Sequence, residues 1–381
     1  MARAPKTDAP PLPEPDRQDG APHPRDTGRL FGQAAAEAAF LDAFAGGRLH
    51  HAWLIAGPRG IGKATLAWRI ARFLLTTPDP GAGGLFDAPP APSTLDTDPG
   101  HPAVRRILAL SEPRLHLLRR GPTDKGDRLA QVITVDETRR LRGFLSLSAA
   151  DGGRRVVILD SADEMNTSAA NAILKLLEEP PAHVTFLIVA HQPARLLPTI
   201  RSRCRVLRLA PLSPPDLAEA LALAGAPAGD PAALAELAGG SVGAALALSA
   251  QDGAGLYRDL VALLATLPRL DRPRAIALAD SAGARGAEGR FDLAVTLIDR
   301  ALARLARTGA TGRPPPEAAP GEAAVLARLS PDIAAGRAWA DLAQALGVRA
   351  RAGRAVNLDP SALLMDILLR LDDTAARLAQ R

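Results

Sequence analysis

Short apolar runs alternate with amphipathic segments between residues 30 and 212, and this alternation is the main structural signal in the chain. Apolar runs bounded by turn residues predict buried strands, and apolar residues repeated every three or four positions predict helices. Strands that alternate with helices favour a parallel sheet covered by helices on both faces. The predicted strands are His51–Ala56, Leu115–Leu118, Arg155–Asp160, Val184–Val189 and Val206–Leu209. The predicted helices are Ile61–Leu75, Asp136–Ser148 and Thr167–Glu178.

Beyond this α/β region, which we assign to residues 27–211, only helical patterns occur. Ser213 followed by Pro214 is typical of a helix start, because the hydroxyl caps the first turn and proline fits its first position. We expect a small helical lid over residues 212–251, with one helix at Pro231–Ala238 that ends at two glycines. An all-helical domain should follow over residues 252–381.

The final helix of the chain has a well-defined start. Asp359 is a suitable cap and Pro360 suits the first helical position. Its apolar face suits the core of a helical bundle and a contact between subunits equally well, so both interpretations stay open. That face comprises Leu363, Leu364, Ile367, Leu368 and Leu371.

Residues 1–26 are rich in proline and charge and poor in apolar side chains, so we predict a disordered tail. This stretch has no apolar core of the kind that a signal peptide requires. No run of about 18 apolar residues occurs anywhere, so we expect no transmembrane helix. The segment Pro78–Pro102 is of low complexity and should be a loop.

The charge balance is mildly basic, with 46 Lys and Arg against 41 Asp and Glu and a net charge of +5. A basic protein suits a nucleic-acid neighbour. Only four of the cations are lysines, however, and the joint excess of Ala, Arg, Gly and Pro is typical of genome base bias, which weakens that inference. The single cysteine, Cys204, excludes an internal disulfide and a zinc site built from cysteines, and it fits a reducing cytoplasm.

The strongest local motif is a glycine-rich loop, Gly57-Pro-Arg-Gly-Ile-Gly-Lys63, between an apolar strand and a helix. In this context the backbone amides and the helix N-terminus can bind phosphates, and the lysine can reach the terminal phosphates of a nucleotide. The position after Lys63 should be Ser or Thr, as a Mg²⁺ ligand, but here it is Ala64. Thr65 lies one residue late, about 100° round the helix. The candidate nucleotide-binding residues are Gly57, Gly60, Gly62, Lys63, Thr65 and Asp160.

Asp160 ends an apolar strand, which is the position where P-loop proteins hold their Mg²⁺-bound water. A glutamate next to it would polarise the attacking water. Here that residue is Ser161, whose hydroxyl cannot act as a base at neutral pH. We interpret Asp163 and Glu164 as the polar start of a turn.

Two further motifs follow. The segment Asn171–Pro181 reads NAILKLLEEPP and predicts a helix stopped by two prolines. Arg201, Arg203 and Arg205 then alternate around a Ser-Arg-Cys sequence. These arginines fit either a solvated basic turn or a group that reaches a nucleotide phosphate on a neighbouring subunit.

The order of these motifs, with NAILKLLEEPP followed by SRC, resembles the delta-prime family of bacterial DNA polymerase III clamp-loader subunits over about residues 50–212. The resemblance implies a RecA-like AAA+ P-loop module, a helical lid and a C-terminal collar that holds a five-membered ring together. It implies motor and clamp-opening subunits as partners, and the sliding clamp and primed DNA as targets of the assembled ring. It also implies that Arg203 acts in trans, as an arginine finger on the ATP site of the adjacent motor subunit.

This chain departs from motor relatives at four positions of one site. Ala64 and Ser161 replace catalytic groups, His191 stands near a usual polar sensor, and Gly243 stands where the lid of motor subunits carries arginine. We therefore expect weak binding of ATP and Mg²⁺ at most, and no hydrolysis by the chain alone. Some family members bind zinc through four cysteines, which this chain lacks.

Two other functions remain open at this stage. A working AAA+ motor ATPase is the main alternative, and Ser161 and Gly243 argue against it. A stand-alone nucleic-acid-binding protein is the other, but aromatic residues for stacking bases make up only 3% of the chain. Within a ring, contact with DNA through backbone phosphates is expected.

Overall fold

The computed structural model of the protein describes residues 14–17, 21–79, 92–123, 128–146, 153–226, 230–284 and 289–380. These residues form two compact units. The first unit comprises the chain up to Leu212 together with Ser241–Gly243, and the second comprises Ser213–Gly240 and Ala244–Arg381. Residues 80–91 of the predicted Pro78–Pro102 loop lie outside the described residues, and residues 92–98 contain no helix or strand.

The first unit is built on a five-stranded parallel sheet, which confirms the predicted fold class. The order of its strands is β2-β3-β4-β1-β5, and every neighbouring pair is parallel. Each predicted strand occurs, and no strand end is displaced by more than one residue. The strands are β1 (Ala52–Ala56), β2 (Leu115–Leu118), β3 (Arg155–Leu159), β4 (Val184–Ala190) and β5 (Arg205–Arg208).

Helices cover both faces of this sheet. Alternate residues of a strand point to opposite faces. Leu54 accordingly lies in a core with Leu177, whereas Trp53 contacts Phe40 with ring centroids 5.0 Å apart. The helices of this unit are α1 (Ala34–Ala45), α2 (Lys63–Thr76), α3 (Pro102–Leu108), α4 (Val135–Ser146), α5 (Thr167–Glu178) and α6 (Pro198–Arg201).

The second unit is helical throughout its described residues. The predicted start at Ser213 is confirmed, since its hydroxyl accepts a hydrogen bond from the amide of Asp216. The helices are α7 (Pro214–Leu223), α8 (Pro231–Ala238), α9 (Val242–Ala250), α10 (Gly253–Leu264), α11 (Arg272–Gly283), α12 (Arg290–Thr311), α13 (Glu322–Leu329), α14 (Ile333–Ala355) and α15 (Pro360–Ala379). The first two residues of α9 belong to the first unit.

A buried ion pair holds the centre of the second unit. The carboxylate of Glu322 accepts hydrogen bonds from Tyr257 (2.6 Å) and Arg304 (2.6 Å), and Arg304 also contacts Glu236 at 3.2 Å. Because Glu236 lies on α8, this contact joins the predicted lid to the C-terminal helices in one unit.

The final helix resolves one open interpretation. The side chain of Asp359 accepts a hydrogen bond from Ala362 at 2.9 Å, as the predicted cap requires. The apolar face of α15 is buried inside its own unit, with Leu364 and Leu368 fully covered, so it forms bundle core and is not a free surface. In the described part of the chain, no single helix is long and apolar enough to cross a membrane, although the bent pair α8 and α9 passes by length and composition.

The prediction of a disordered tail is wrong for the part of residues 1–26 that is described. Residues 14–17 and 21–31, which we call the N-terminal strap, lie against α2 and the end of β2. His23 is 2% exposed, and Arg72 of α2 donates to the carbonyls of Arg25 (2.6 Å) and Thr27 (3.1 Å). The hydropathy of this segment did not indicate order, because ion pairs and hydrogen bonds hold it in place. Residues 1–13 and 18–20 lie outside the described residues.

Candidate nucleotide site and candidate arginine finger

The glycine-rich loop joins β1 to α2, as predicted. Gly60 has φ +78°, which only glycine adopts freely, and a Cβ there would collide with the side chain of Ser241. Gly62 has φ +100° and lies beneath the side chain of Leu30 from the strap. The backbone therefore has the geometry of a phosphate-binding loop, but other segments of the chain pack closely upon it.

Lys63 is folded back onto this loop. Its ammonium donates hydrogen bonds to the carbonyl of Gly57 at 2.7 Å and to that of Pro58. The residue is 3% exposed, and burial lowers the pKa of its ammonium to about 8. The lysine that should reach nucleotide phosphates is thus bonded inside its own loop.

A distant segment closes the other side of the loop. We call Ser241–Gly243 the clip. The hydroxyl of Ser241 donates a hydrogen bond to the carbonyl of Arg59 at 2.9 Å. The backbone amide of Gly243 donates one to the carbonyl of Gly60 at 3.2 Å. Together with Lys63, the clip satisfies four successive loop carbonyls, those of residues 57–60. Opening the loop for a ligand would break these bonds.

Asp160 lies at the carboxyl end of β3, as predicted, and is 9% exposed. Burial raises the pKa of its carboxyl group to about 7, and the nearby carboxylates of Asp16 and Glu164 act in the same direction, against the positive charge of Lys63. A carboxyl group in this state is a poor ligand for Mg²⁺, which binds the ionised form. Asp16, which belongs to the strap, was not foreseen here.

Ser161, directly after Asp160, is buried. Ser161 is 2% exposed, and its hydroxyl has no hydrogen-bond partner in the described part of the protein. Ala64 and Thr65 lie in the first turn of α2. Lys63, Asp160 and the loop glycines thus come together at one edge of the sheet, while the groups that would activate water and bind metal through a hydroxyl are replaced.

The turn after Asp160 agrees with its predicted role. Residues Ala162–Glu164 form a short 3₁₀ helix. The carboxylate of Asp163 accepts hydrogen bonds from the amides of His191 and Gln192, and Glu164 pairs with Arg120 at 2.8 Å. These contacts are structural.

His191 directly follows β4. Burial, with the positive charges of Lys63 and Arg59, lowers the pKa of its imidazole to about 4. Its Nδ1 is buried without a partner among the residues described. The side chain is therefore neutral at physiological pH.

Arg203 has a different environment. It follows α6 on the surface, and 36% of its side chain is exposed. Its Nη1 donates to the carbonyl of Thr199 at 3.0 Å, and its Nη2 lies 2.9 Å from the Oε1 atom of Glu178. Sequence reasoning missed Glu178 as a partner, although it belongs to the NAILKLLEEPP motif.

The flanking arginines do not share this arrangement. Arg205 lies with its guanidinium 5.1 Å from the ring centre of the buried Trp53, in a cation–π contact. Arg201 is exposed at the end of α6. Cys204, between them, is half-buried, and desolvation raises the pKa of its thiol to about 12. The three arginines are therefore chemically distinct, which a merely solvated basic turn would not require.

Comparisons with known proteins agree with these motifs. Residues 32–213 match the family described as DNA polymerase III, delta subunit. The chain is 40% identical over 161 residues to the DNA polymerase III subunit delta' of Pseudomonas aeruginosa, covering 42% of this chain and 43% of that protein. It is 32% identical over 180 residues to the DNA polymerase III subunit gamma/tau of Mycobacterium tuberculosis, covering 47% of this chain and 28% of that protein.

A solved structure of a gamma subunit-related protein from Thermotoga maritima aligns with 90% of this chain and 99% of its own, with 17% identity and a TM-score of 0.39. The chain spans less than half the length of the curated relatives it matches. The matched region contains the glycine-rich loop, the NAILKLLEEPP helix and the SRC sequence, all in the first unit. Through this region, the chain is similar to the delta' and gamma/tau subunits of DNA polymerase III.

Proposed function

We propose that this chain is a non-hydrolysing, stator-like subunit of a DNA polymerase III clamp loader, which helps to load the sliding clamp onto primed DNA. One contrast carries the proposal. The cation of its own nucleotide loop, Lys63, is buried and bonded to that loop, while Arg203 is displayed at the surface. A subunit of this design would serve a neighbour's chemistry and not its own.

Weak binding of ATP with Mg²⁺ and no turnover is proposed for the glycine-rich loop. The clip and Lys63 would have to release the loop carbonyls before phosphates could enter. Ala64 offers no hydroxyl to a metal ion, and Ser161 offers no base to water. The retained glycines and Lys63 support residual affinity. No zinc is included in the proposal.

Arg203 is proposed to act in trans as an arginine finger. A guanidinium can hold two phosphate oxygens with parallel hydrogen bonds and offset the charge that develops during phosphoryl transfer. Its position on a surface turn beside α6 would allow a neighbouring subunit to reach it.

The proposed partners are the motor subunits and the clamp-opening subunit of a five-membered ring. The C-terminal helices from residue 252 onward are proposed as the collar that joins them. The clamp and primed DNA would be met through the assembled ring, with DNA contacted through its phosphates. A cytoplasmic location accompanies this role.

The alternative is a motor ATPase, which the intact glycine loop and Lys63 favour. It predicts turnover by the isolated chain that is abolished by Lys63→Ala. The proposed function predicts no turnover above background, with or without that substitution.

The main test is reconstitution with candidate motor and clamp-opening subunits. The chain should co-elute with them. Arg203→Ala should preserve that assembly and the melting temperature, but lower the ATPase rate that DNA and clamp stimulate. Arg201→Ala and Arg205→Ala serve as controls, and equal small effects of all three would support a merely basic turn. Unfolding by Arg203→Ala would show a structural role instead.

A further inference from the structure

Glu178 and Thr199 hold the Arg203 side chain between two acceptors on different elements. Glu178 is the last residue of α5, and its Oε1 lies 2.9 Å from Nη2 of the arginine. Thr199 lies within α6, and its carbonyl accepts a hydrogen bond from Nη1 at 3.0 Å. Both terminal nitrogens of the guanidinium therefore contact an acceptor, Nη1 through a hydrogen bond and Nη2 through an ion pair.

Both acceptors stand on well-anchored backbone. Leu177, directly before Glu178, is 1% exposed in the core, and so is Ile200, directly after Thr199. Two prolines after Glu179 prevent α5 from continuing. The acceptors therefore keep their places, and the guanidinium is held relative to the sheet and not to a loose loop.

The Arg203 side chain is oriented by these contacts, but they do not occupy all of its N–H donors. A guanidinium has five N–H donors. Among the described residues, Nη1 uses one of them in its hydrogen bond to Thr199, and Nη2 forms an ion pair with Glu178. The remaining donors are available to phosphate oxygens of a ligand. Orientation before binding lowers the entropic cost of reaching a transition state.

We infer that Glu178 is a positioning residue, which holds Arg203 in the orientation that engages the phosphates of a nucleotide on a neighbouring subunit. This inference rests on the proposed trans-acting role of Arg203. Glu178 would touch neither nucleotide nor reacting atoms, and would act only through the arginine.

A contribution to fold stability does not account for this contact. The side chains of Glu178 and Arg203 are 42% and 36% exposed, and exposed ion pairs contribute little to stability because water and salt screen them. The adjacent residue, Glu179, is also exposed and carries the same charge. It is a matched control for any general effect of negative charge at the end of α5.

The first test uses the isolated chain and needs no partner. Phenylglyoxal modifies free guanidinium groups, and peptide mapping by mass spectrometry reports each arginine separately. Glu178→Ala should speed modification of Arg203 by about two- to fivefold, the range expected for release from an exposed pair. Glu179→Ala should not, and Arg201 provides an internal reference. An unchanged Arg203 rate in Glu178→Ala would overturn the positioning role.

The second test uses the reconstituted loader and a double-mutant cycle. Glu178→Ala should lower the stimulated kcat by about two- to fivefold with unchanged KM for ATP, and Glu178→Gln, which keeps an acceptor oxygen, should recover most of the rate. In an Arg203→Ala background, Glu178→Ala should have no further effect. An equal loss in both backgrounds would overturn the inference.

The two failures are distinguishable. A normal rate with Arg203→Ala would overturn the proposed function, and the reactivity of Arg203 would still decide whether Glu178 holds its guanidinium. A reduced rate with Arg203→Ala, alongside a normal rate with Glu178→Ala, would overturn only the positioning role.

Discussion

Two cations of the same α/β unit, Lys63 and Arg203, both come from motifs of P-loop chemistry, but they lie in opposite environments. Lys63 is 3% exposed and bonded to the carbonyls of its own loop, whereas the Arg203 side chain is 36% exposed and retains free donors. The comparison shows that a retained motif does not establish a retained activity. Access to the charged group, and the groups around it, decide which motif can still act.

The difference extends to the neighbouring charges. Around Lys63, burial favours the neutral forms of the titratable groups. It lowers the pKa of the Lys63 ammonium to about 8 and raises the pKa of the Asp160 carboxyl to about 7. Arg203 lies away from these buried groups, and its guanidinium pairs with the exposed carboxylate of Glu178. The glycine-rich loop is thus packed against Lys63 and the clip, while Arg203 lies at the surface.

The largest predicted effect separates these two cations directly. In the reconstituted loader, Arg203→Lys should rescue little of the loss caused by Arg203→Ala, because an ammonium cannot form two parallel bonds to phosphate. Arginine fingers increase the rate about 10³–10⁵-fold in other P-loop systems. The loss in total ATPase rate should be smaller here, because the other ATP sites of the ring keep their own arginine fingers. Lys63→Ala should leave the stimulated ATPase unchanged. Equal losses from Lys63→Ala and Arg203→Ala would contradict the comparison.

The second prediction concerns stability and pH at the closed site. The pKa of Asp160 rises from 3.8 to about 7 on folding, so the folded protein holds an extra proton between these values, and stability falls as the pH rises through that window. Asp160→Asn removes this titrating group. The variant should therefore gain stability over the unchanged protein at pH 8, and this gain should be smaller at pH 4. A pKa that rises from 3.8 to about 7 lowers the free energy of unfolding by at most about 4 kcal/mol above that window.

Urea unfolding of both proteins across pH 4–8 measures this effect. An advantage of Asp160→Asn that is the same at both ends of the range would show that the carboxyl group titrates normally, and that the site is less closed than described.

The smallest effect concerns the clip. Ser241→Ala removes one hydrogen bond to the carbonyl of Arg59, a contribution of about 0.5–1.5 kcal/mol. Because the loop should then open more easily, the affinity for ATP with Mg²⁺ should rise by about two- to tenfold, as measured by calorimetry. Ser249→Ala, an exposed serine of α9, is the control. A lower affinity after Ser241→Ala would mean that the clip supports the ligand and does not exclude it.

Most of the fold was predictable because local patterns specify it. Helix α5 occurs with the predicted ends, Thr167 and Glu178, since an asparagine cap and two prolines delimit an apolar face. The capping of α15 by Asp359 is similarly local. The sheet followed from apolar runs with clear boundaries.

The missed features are contacts between distant segments. The clip joins Ser241 to Arg59, 182 positions away in sequence, through a single hydroxyl that no periodicity marks. The placement of Asp16 near Asp160 depends on a charged segment with no apolar pattern. The sequence located the motifs of Lys63 and Arg203. It could not show which of these two cations would be buried, because burial depends on how the whole chain packs.

The N-terminal strap has a practical consequence for anyone preparing this protein. A version shortened to begin at residue 27, as a disorder prediction would suggest, would lose the carboxylates of Glu14 and Asp16 that pair with Arg119. It would also uncover the edge of Trp68, which His23 now covers with ring centroids 5.9 Å apart. Such a version would leave Arg119, just after β2, without these two carboxylates and would expose the indole of Trp68 on α2 to water. Expression boundaries for biochemical work should therefore be placed ahead of Glu14.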